Sequence, residues 1–168
     1  YERIYGVHYH RCPFSESFDF VEAINNMCRS FVDTFFQTEN VTGPFDVIHS
    51  HDWLTSNVIV WIKQVRPSKA VLTIHSTEYG RCGNNFNDGN SARIRDHERH
   101  GTYCADHVIA VSRALKGEIQ WMYNAPDWKV DVVYNGVNYR NFDGYIDPEA
   151  VRRYYGIGPM DPTVLFVG

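Results

Sequence analysis

The stretch FDVIHSHDWL, residues 45–54, runs from an apolar, β-branched segment into two histidines, an aspartate and a tryptophan. A short apolar run bounded by polar residues fits a buried strand, and Thr55 or Ser56 can open a helix just beyond it. The stretch is therefore read as a strand-to-helix corner, the unit from which parallel α/β sheets are assembled. In such sheets ligands bind outside the carboxyl ends of the strands, where loops and helix N-termini meet. His49, His51 and Asp52 stand at that end. Residues i and i+2 of a strand share a face, so parity does not separate His49 from His51. Position favours His51, which lies past the apolar run and nearer the helix start.

The corner recurs along the chain. Strands are predicted over 4–9, 46–49, 70–75, 107–111, 130–134 and 163–167, and helical segments lie between them. From Phe18 to Phe36 the apolar residues Phe20, Val21, Ile24, Met27, Cys28, Phe31, Val32 and Phe35 form one stripe. Further helices start near Thr55 or Ser56 and stop before Pro67, and start after Ser112 and stop before Pro126. A last short one is bracketed by Asp147, Pro148 and Gly156. The Gly- and Asn-rich stretch STEYGRCGNNFNDGNS, 76–91, is predicted to be a long loop, and 92–105 a polar helix facing water or a cleft. In that helix Arg93, Arg95 and Arg99 become anion contacts only if turned inward. The fold expected is a doubly wound, Rossmann-like parallel sheet.

Composition narrows the function classes. The chain has 168 residues, 43% of them hydrophobic and 15% aromatic, enough for a packed core. A formal net charge of −4, with no Lys or Arg run, gives no footprint for nucleic acid or an anionic membrane. No apolar run reaches the roughly 18 residues of a membrane span. The four cysteines are scattered without a CxxC, which fits a reducing, cytoplasmic setting better than a disulfide framework or a zinc ribbon.

On this reading the strand ends deliver polar groups to one edge: His8 and His10, then His49, His51 and Asp52, then His75 through Glu78, then Ser112, then Asn135 and Gly136. Each has a plainer reading beside the functional one. Asp52 caps a helix, Asn135-Gly136 makes a turn, and a single histidine anchors a loop. Trp53, Trp61, Trp121 and Trp128 are read as packing residues rather than sugar-stacking platforms.

Taken in order, FDVIHSHDWL, VLTIHSTEYGR, ADHVIAVSRALK, VVYNGVNYRNF and VLFVG resemble the retaining nucleotide-sugar glycosyltransferases of family 4, the GT-B group that includes glycogen and starch synthases. The resemblance implies two Rossmann-like domains facing across a cleft. Residues 1–160 would be the N-terminal, acceptor-side domain lacking its first strand, and 161–168 the first strand of a C-terminal, donor-binding domain. It implies His51 as the catalytic residue, lying against the transferred sugar. The implied substrate contacts are His75, Ser76, Thr77, Glu78, Tyr79, Arg81, Ser112, Asn135 and Gly136. No metal or other cofactor is implied. The nucleotide-diphosphate sugar is a co-substrate, the acceptor a carbohydrate or small molecule, and the C-terminal domain of the same chain a partner.

The family's Gly-rich loop near the donor phosphates has no counterpart here, and its diphosphate-clamping Arg and Lys would lie beyond Gly168. The fragment is accordingly expected to be inactive by itself. Two rival readings come from the residues alone. His49, His51, Asp52 and His75 could form a metal site in a hydrolase, since imidazole with carboxylate binds zinc or iron and activates water. A non-catalytic binding module is the other.

Overall fold

The computed structural model describes residues 2–83 and 87–166. Its first elements, β1 (Glu2–Ile4) and β2 (Val7–Tyr9), pair antiparallel, with Glu2 opposite Tyr9 and Ile4 opposite Val7. The single strand predicted over 4–9 is thus a hairpin. Tyr5 and Gly6 both have positive φ, 50° and 83°, the two-residue turn whose twist matches that of the flanking strands. This hairpin is a separate two-stranded sheet, so His8 and His10 do not join the edge assigned to them.

Helix α1 (Phe20–Thr42) begins where Asp19 accepts a hydrogen bond from the Glu22 amide at 2.9 Å. It continues past Phe36, and its apolar stripe packs on α2 (Asp52–Val65), where the Cys28 thiol donates to the Leu54 carbonyl at 3.1 Å. Burial pushes that thiol up to about 11.

Four strands form the main sheet: β3 (Ile48–His51), β4 (Ala70–Ile74), β5 (His107–Ala110) and β6 (Val130–Val132). They neighbour one another in chain order and every pair is parallel, as the alternation of strands and helices predicts. Between β4 and β5 lie a single turn, α3 (Glu78–Arg81), and α4 (Gly89–Cys104), so the predicted 76–91 loop holds helical structure at both ends. Asn84, Asn85 and Phe86, part of that predicted loop, lie outside the described residues. Helix α5 (Arg113–Tyr123) joins β5 to β6.

One row of strand positions, Ile48, Ser50, Leu72, Ile74, Val108, Ala110 and Val130, is buried beneath Ile59, Ile62, Leu115 and Ile119 of the helices. Burying an aliphatic side chain of this size contributes about 1.5–3 kcal/mol against exposure. The opposite row carries His49, His51, His107, Ile109 and Asp131, all exposed or half-buried. Of the doubly wound layout, the described elements supply the parallel sheet and the helical layer over its buried row.

Helix α4 corrects the expectation of a solvated face. Ile94, Glu98, Gly101 and Thr102 are buried where it crosses α2. At Gly101 a Cβ would lie 2.5 Å from the Ser56 Cβ, so glycine is what lets the two helices approach this closely. Trp53 is buried, as expected of a packing residue, whereas Trp121 and Trp128 are exposed.

Two compact units divide the chain, Tyr1–Asn135 and Gly136–Gly168. The second holds a 3-10 turn at Tyr139–Phe142 and the short helix α6 (Pro148–Tyr154), capped by Asp147 as predicted. The strand expected over 163–167 is absent from 163–166, where Val164, Leu165 and Phe166 are exposed; Val167 lies outside the described residues. A β-branched run becomes a strand only against a ladder partner.

Candidate functional site

The corner after β3 is tighter than the sequence indicates. The strand extends to His51 and α2 starts at Asp52, three residues before Thr55, with no loop between. Asp52 turns the chain by adopting φ 56°, a left-handed conformation that aspartate tolerates at some cost. Its carboxylate accepts the backbone N–H of His75 at 2.8 Å, fastening the end of β4 to the start of α2. Thr55 closes the turn, accepting from the His51 amide at 2.9 Å and donating to the His51 carbonyl at 2.7 Å.

His49 and His51 share a face, as their spacing requires, and their rings stack with centroids 4.5 Å apart. Their partners differ. His49 Nε2 lies 2.7 Å from the Thr73 hydroxyl, and burial together with the neighbouring His51 holds its ring below the ordinary histidine pKa. His51 Nδ1 lies 3.1 Å from His75 Nε2, with the two rings stacked at 5.4 Å. One nitrogen of that contact donates and the other accepts, the roles set by the ring tautomers. No hydrogen bond engages the second nitrogen of His51, Nε2, among the described residues, and the residue is exposed.

The four groups of the hydrolase reading lie near one another but form no ligand set. Each ring is directed at a neighbour, Asp52 is engaged with backbone, and no cluster of three or more His, Cys, Asp or Glu able to hold an ion occurs among the described residues. That reading has no support.

Beyond β4 the predicted contacts sort into two groups. Thr77 and Glu78 are buried and committed internally: Thr77 to Glu118, and Glu78 through its carboxylate to the Ser91 hydroxyl at 2.7 Å and to Arg81 Nε at 3.1 Å. Arg81 is occupied as well. It donates through Nη1 to the carbonyl and the hydroxyl of Ser76, both at 2.8 Å, and through Nη2 to Glu98 at 2.5 Å. His75, Ser76 and Tyr79 remain exposed or half-buried, with Tyr79 meeting Trp121 edge-on at 5.2 Å.

Ser112 sits at the carboxyl end of β5 and caps α5, accepting from the Leu115 amide at 3.1 Å. Asn135 closes the first unit and Gly136 opens the second, both exposed. His51 and His75 are therefore brought into contact, Ser76 follows His75 in sequence, and Thr77 and Glu78 are turned away from solvent.

Sequence reasoning missed Glu98, which is 1% exposed and receives hydrogen bonds from the Glu78 amide, Arg81 and the Tyr123 hydroxyl. Burial pushes its carboxyl up, while those donors pull it down. The signal was present: Ile94, Glu98, Gly101, Thr102 and Ala105 fall on one helical stripe, which placed Glu98 on an inward face.

The geometry can be set beside known proteins. The model of Glycosyltransferase Family 4 matches residues 2–140. An uncharacterized glycosyltransferase of Methanocaldococcus jannaschii is 41% identical over 127 residues, covering 74% of this chain and 32% of that protein. A glycogen synthase of Mycobacterium tuberculosis is 28% identical over 123 residues, covering 73% and 28%. A D-inositol 3-phosphate glycosyltransferase of Thermobispora bispora is 29% identical over 158 residues, covering 91% and 36%. The chain thus spans about a third of the length of these curated relatives. Among solved structures, sucrose-phosphate synthase from Thermosynechococcus elongatus superposes with a TM-score of 0.62 at 18% identity, over 84% of this chain and 34% of that one, a likeness of fold. No helix among the described residues is long and apolar enough to cross a membrane.

Proposed function

Because the chain belongs to glycosyltransferase family 4, we propose that it forms the acceptor-side part of a retaining enzyme that moves a sugar from a nucleotide-diphosphate donor to a carbohydrate or small-molecule acceptor. The observation that carries the reading is the His51–His75 pair at the mouths of the adjacent strands β3 and β4, inside the matched residues.

Cleaving a nucleotide sugar builds negative charge on the leaving diphosphate and positive charge at the anomeric carbon. The residues of this chain serve the second centre and the incoming acceptor. Engaging His51 Nδ1 with His75 fixes the ring's orientation and leaves Nε2 to meet a sugar hydroxyl. That is a placement role, which gains its effect by holding the reacting sugar in line rather than by moving a proton. Ser76 and Tyr79 then offer the acceptor hydroxyl-bearing side chains beside that ring. Basic groups that neutralise the diphosphate belong to a partner domain of the longer chain, so residues 1–168 alone bind nucleotide sugars weakly and transfer none. No metal or other cofactor is needed for these roles. The four free cysteines support a reducing, cytoplasmic setting.

The test is made on the full-length protein with a panel of nucleotide sugars and glycan or polyol acceptors. His51→Ala is expected to lower kcat about 10²- to 10³-fold while nucleotide diphosphate binding, read by titration, stays nearly unchanged. Near wild-type turnover in that variant removes His51 from the site. His49→Ala is the internal control, with its effect expected in stability rather than in turnover.

A further inference from the structure

We propose that Glu98, with Tyr123 behind it, is a positioning residue for acceptor binding, acting at a distance by clasping the turn that follows β4; the proposal rests on reading that turn as the acceptor side of the site.

A four-residue helix such as α3 has too few internal hydrogen bonds to hold itself, and its leading N–H groups need outside acceptors. Glu98 supplies one. Both of its carboxylate oxygens lie 3.0 Å from the Glu78 amide, in the first turn of α3. The same carboxylate receives Arg81 Nη2 at 2.5 Å, at the other end of that turn, and the Tyr123 hydroxyl from α5. One side chain from the middle of α4 thus grips α3 at both ends and ties it to α5. Thr77, just ahead of the turn, makes a further contact with Glu118 of α5.

A carboxylate 1% exposed is costly unless its lone pairs are engaged, and here they are, by three separate donors. The engagement excludes a direct chemical role, since Glu98 has neither access to substrate nor a free lone pair. Its effect passes through Arg81. With Nη2 on Glu98 and Nε on Glu78, the guanidinium is fixed so that Nη1 meets both the carbonyl and the hydroxyl of Ser76. Ser76 follows His75, whose ring meets His51. The chain of contacts runs from Tyr123 through Glu98, Arg81 and Ser76 to the exposed edge of the sheet.

This changes the role of Arg81. Its charge faces two carboxylates, Glu78 and Glu98, and its fork is filled. Arg81 therefore shapes the turn instead of binding an anionic acceptor group, and acceptor contacts fall to Ser76, Tyr79 and the turn's backbone.

The experiment uses the full-length protein, with UDP-glucose or ADP-glucose as donor and maltopentaose or inositol 3-phosphate as acceptor, whichever pair supports transfer. Glu98→Gln keeps the shape but removes the charge that holds Arg81. It is expected to raise acceptor KM about tenfold while donor KM stays within about twofold, the pattern of a misplaced acceptor surface. Amide hydrogen exchange over residues 75–83 should quicken, with β5 unchanged. Tyr123→Phe, which keeps the ring and deletes one donor, should move both readouts the same way by a smaller factor, and it carries the test if Glu98→Gln does not accumulate folded. Tyr79→Ala tests the underlying reading. If it raises acceptor KM while the Glu98 and Tyr123 variants leave that KM alone, the clasp is wrong and the acceptor turn stands. If acceptor KM is fixed in all three although exchange over 75–83 quickens, the turn is not the acceptor side. Equal changes in donor and acceptor KM for Glu98→Gln would reduce Glu98 to a structural anchor and overturn the proposal.

Discussion

The carboxyl ends of β3 and β4 lie side by side in the sheet, yet they are fixed by opposite means. After β3 the means are local: the chain passes from His51 into α2 without a loop, through one left-handed residue, Asp52, and the Thr55 hydroxyl closes the turn. After β4 distant side chains do it: a single turn is held by a carboxylate from α4, which is itself backed by a hydroxyl from α5. A corner fixed by backbone geometry tolerates few replacements at one position. A turn fixed by distant side chains spreads its dependence over the helices that carry them.

Substitutions at three positions should probe the two devices and the helix between them. Gly101→Ala is expected to have the largest effect, since its new Cβ meets the Ser56 side chain near the α2 backbone, and overpacking of this kind costs about 1–3 kcal/mol. Urea unfolding should show the loss. Because α4 also carries Glu98, exchange over 75–83 should quicken in the same variant, while the Asp52 corner keeps its protection.

Asp52 gives the converse. Asp52→Ala keeps the left-handed φ without the tolerance of aspartate and deletes the bond to the His75 amide, a combined cost of about 1–2 kcal/mol. Asp52→Gly relieves the φ but still loses the bond, so it should fall between Ala and wild type. If the Ala and Gly variants unfold at the same urea concentration, the corner stores no backbone strain.

The smallest effect is a pH dependence at His97 on α4. Burial, aided by Arg93 and His100, holds its ring below the ordinary value against the opposing pull of Asp96. Asn57 Nδ2 stands 3.4 Å from its Nε2 and Trp53 lies beside the ring. A depressed folded pKa means that the unfolded state binds the proton more readily, so His97 contributes its stability in full above the unfolded value of about 6.5. That contribution is lost as pH falls through the folded pKa. His97→Gln should flatten the unfolding midpoint between pH 7 and pH 5.

The contrast between the two corners also explains what the sequence disclosed. The parallel sheet was legible because Ile48, Leu72, Val108 and Val130 sit in β-branched or aliphatic runs spaced for helical crossovers. His51 and His75 were legible because strand ends announce themselves where apolar runs stop. The start of α2 was not, because aspartate gives no glycine-like sign that it will turn left-handed. The hairpin at Tyr5-Gly6 was hidden for a related reason, since tyrosine is an unusual first residue for that turn. Thr77, Glu78 and Arg81 stand where the sequence places them along the chain, and their side chains meet Glu118, Ser91 and Glu98. Polar residues at a sheet edge look alike in sequence whether they meet a ligand or Glu98, and only the buried stripe of α4 tells them apart.

The close crossing at Gly101 and Ser56 has one more consequence. It locks together the helix that starts at His51 and the helix that carries Glu98. The corner at His51 and the turn that follows β4 are therefore mounted on one pair of crossed helices, and the spacing of that crossing is set by the absence of a side chain at Gly101.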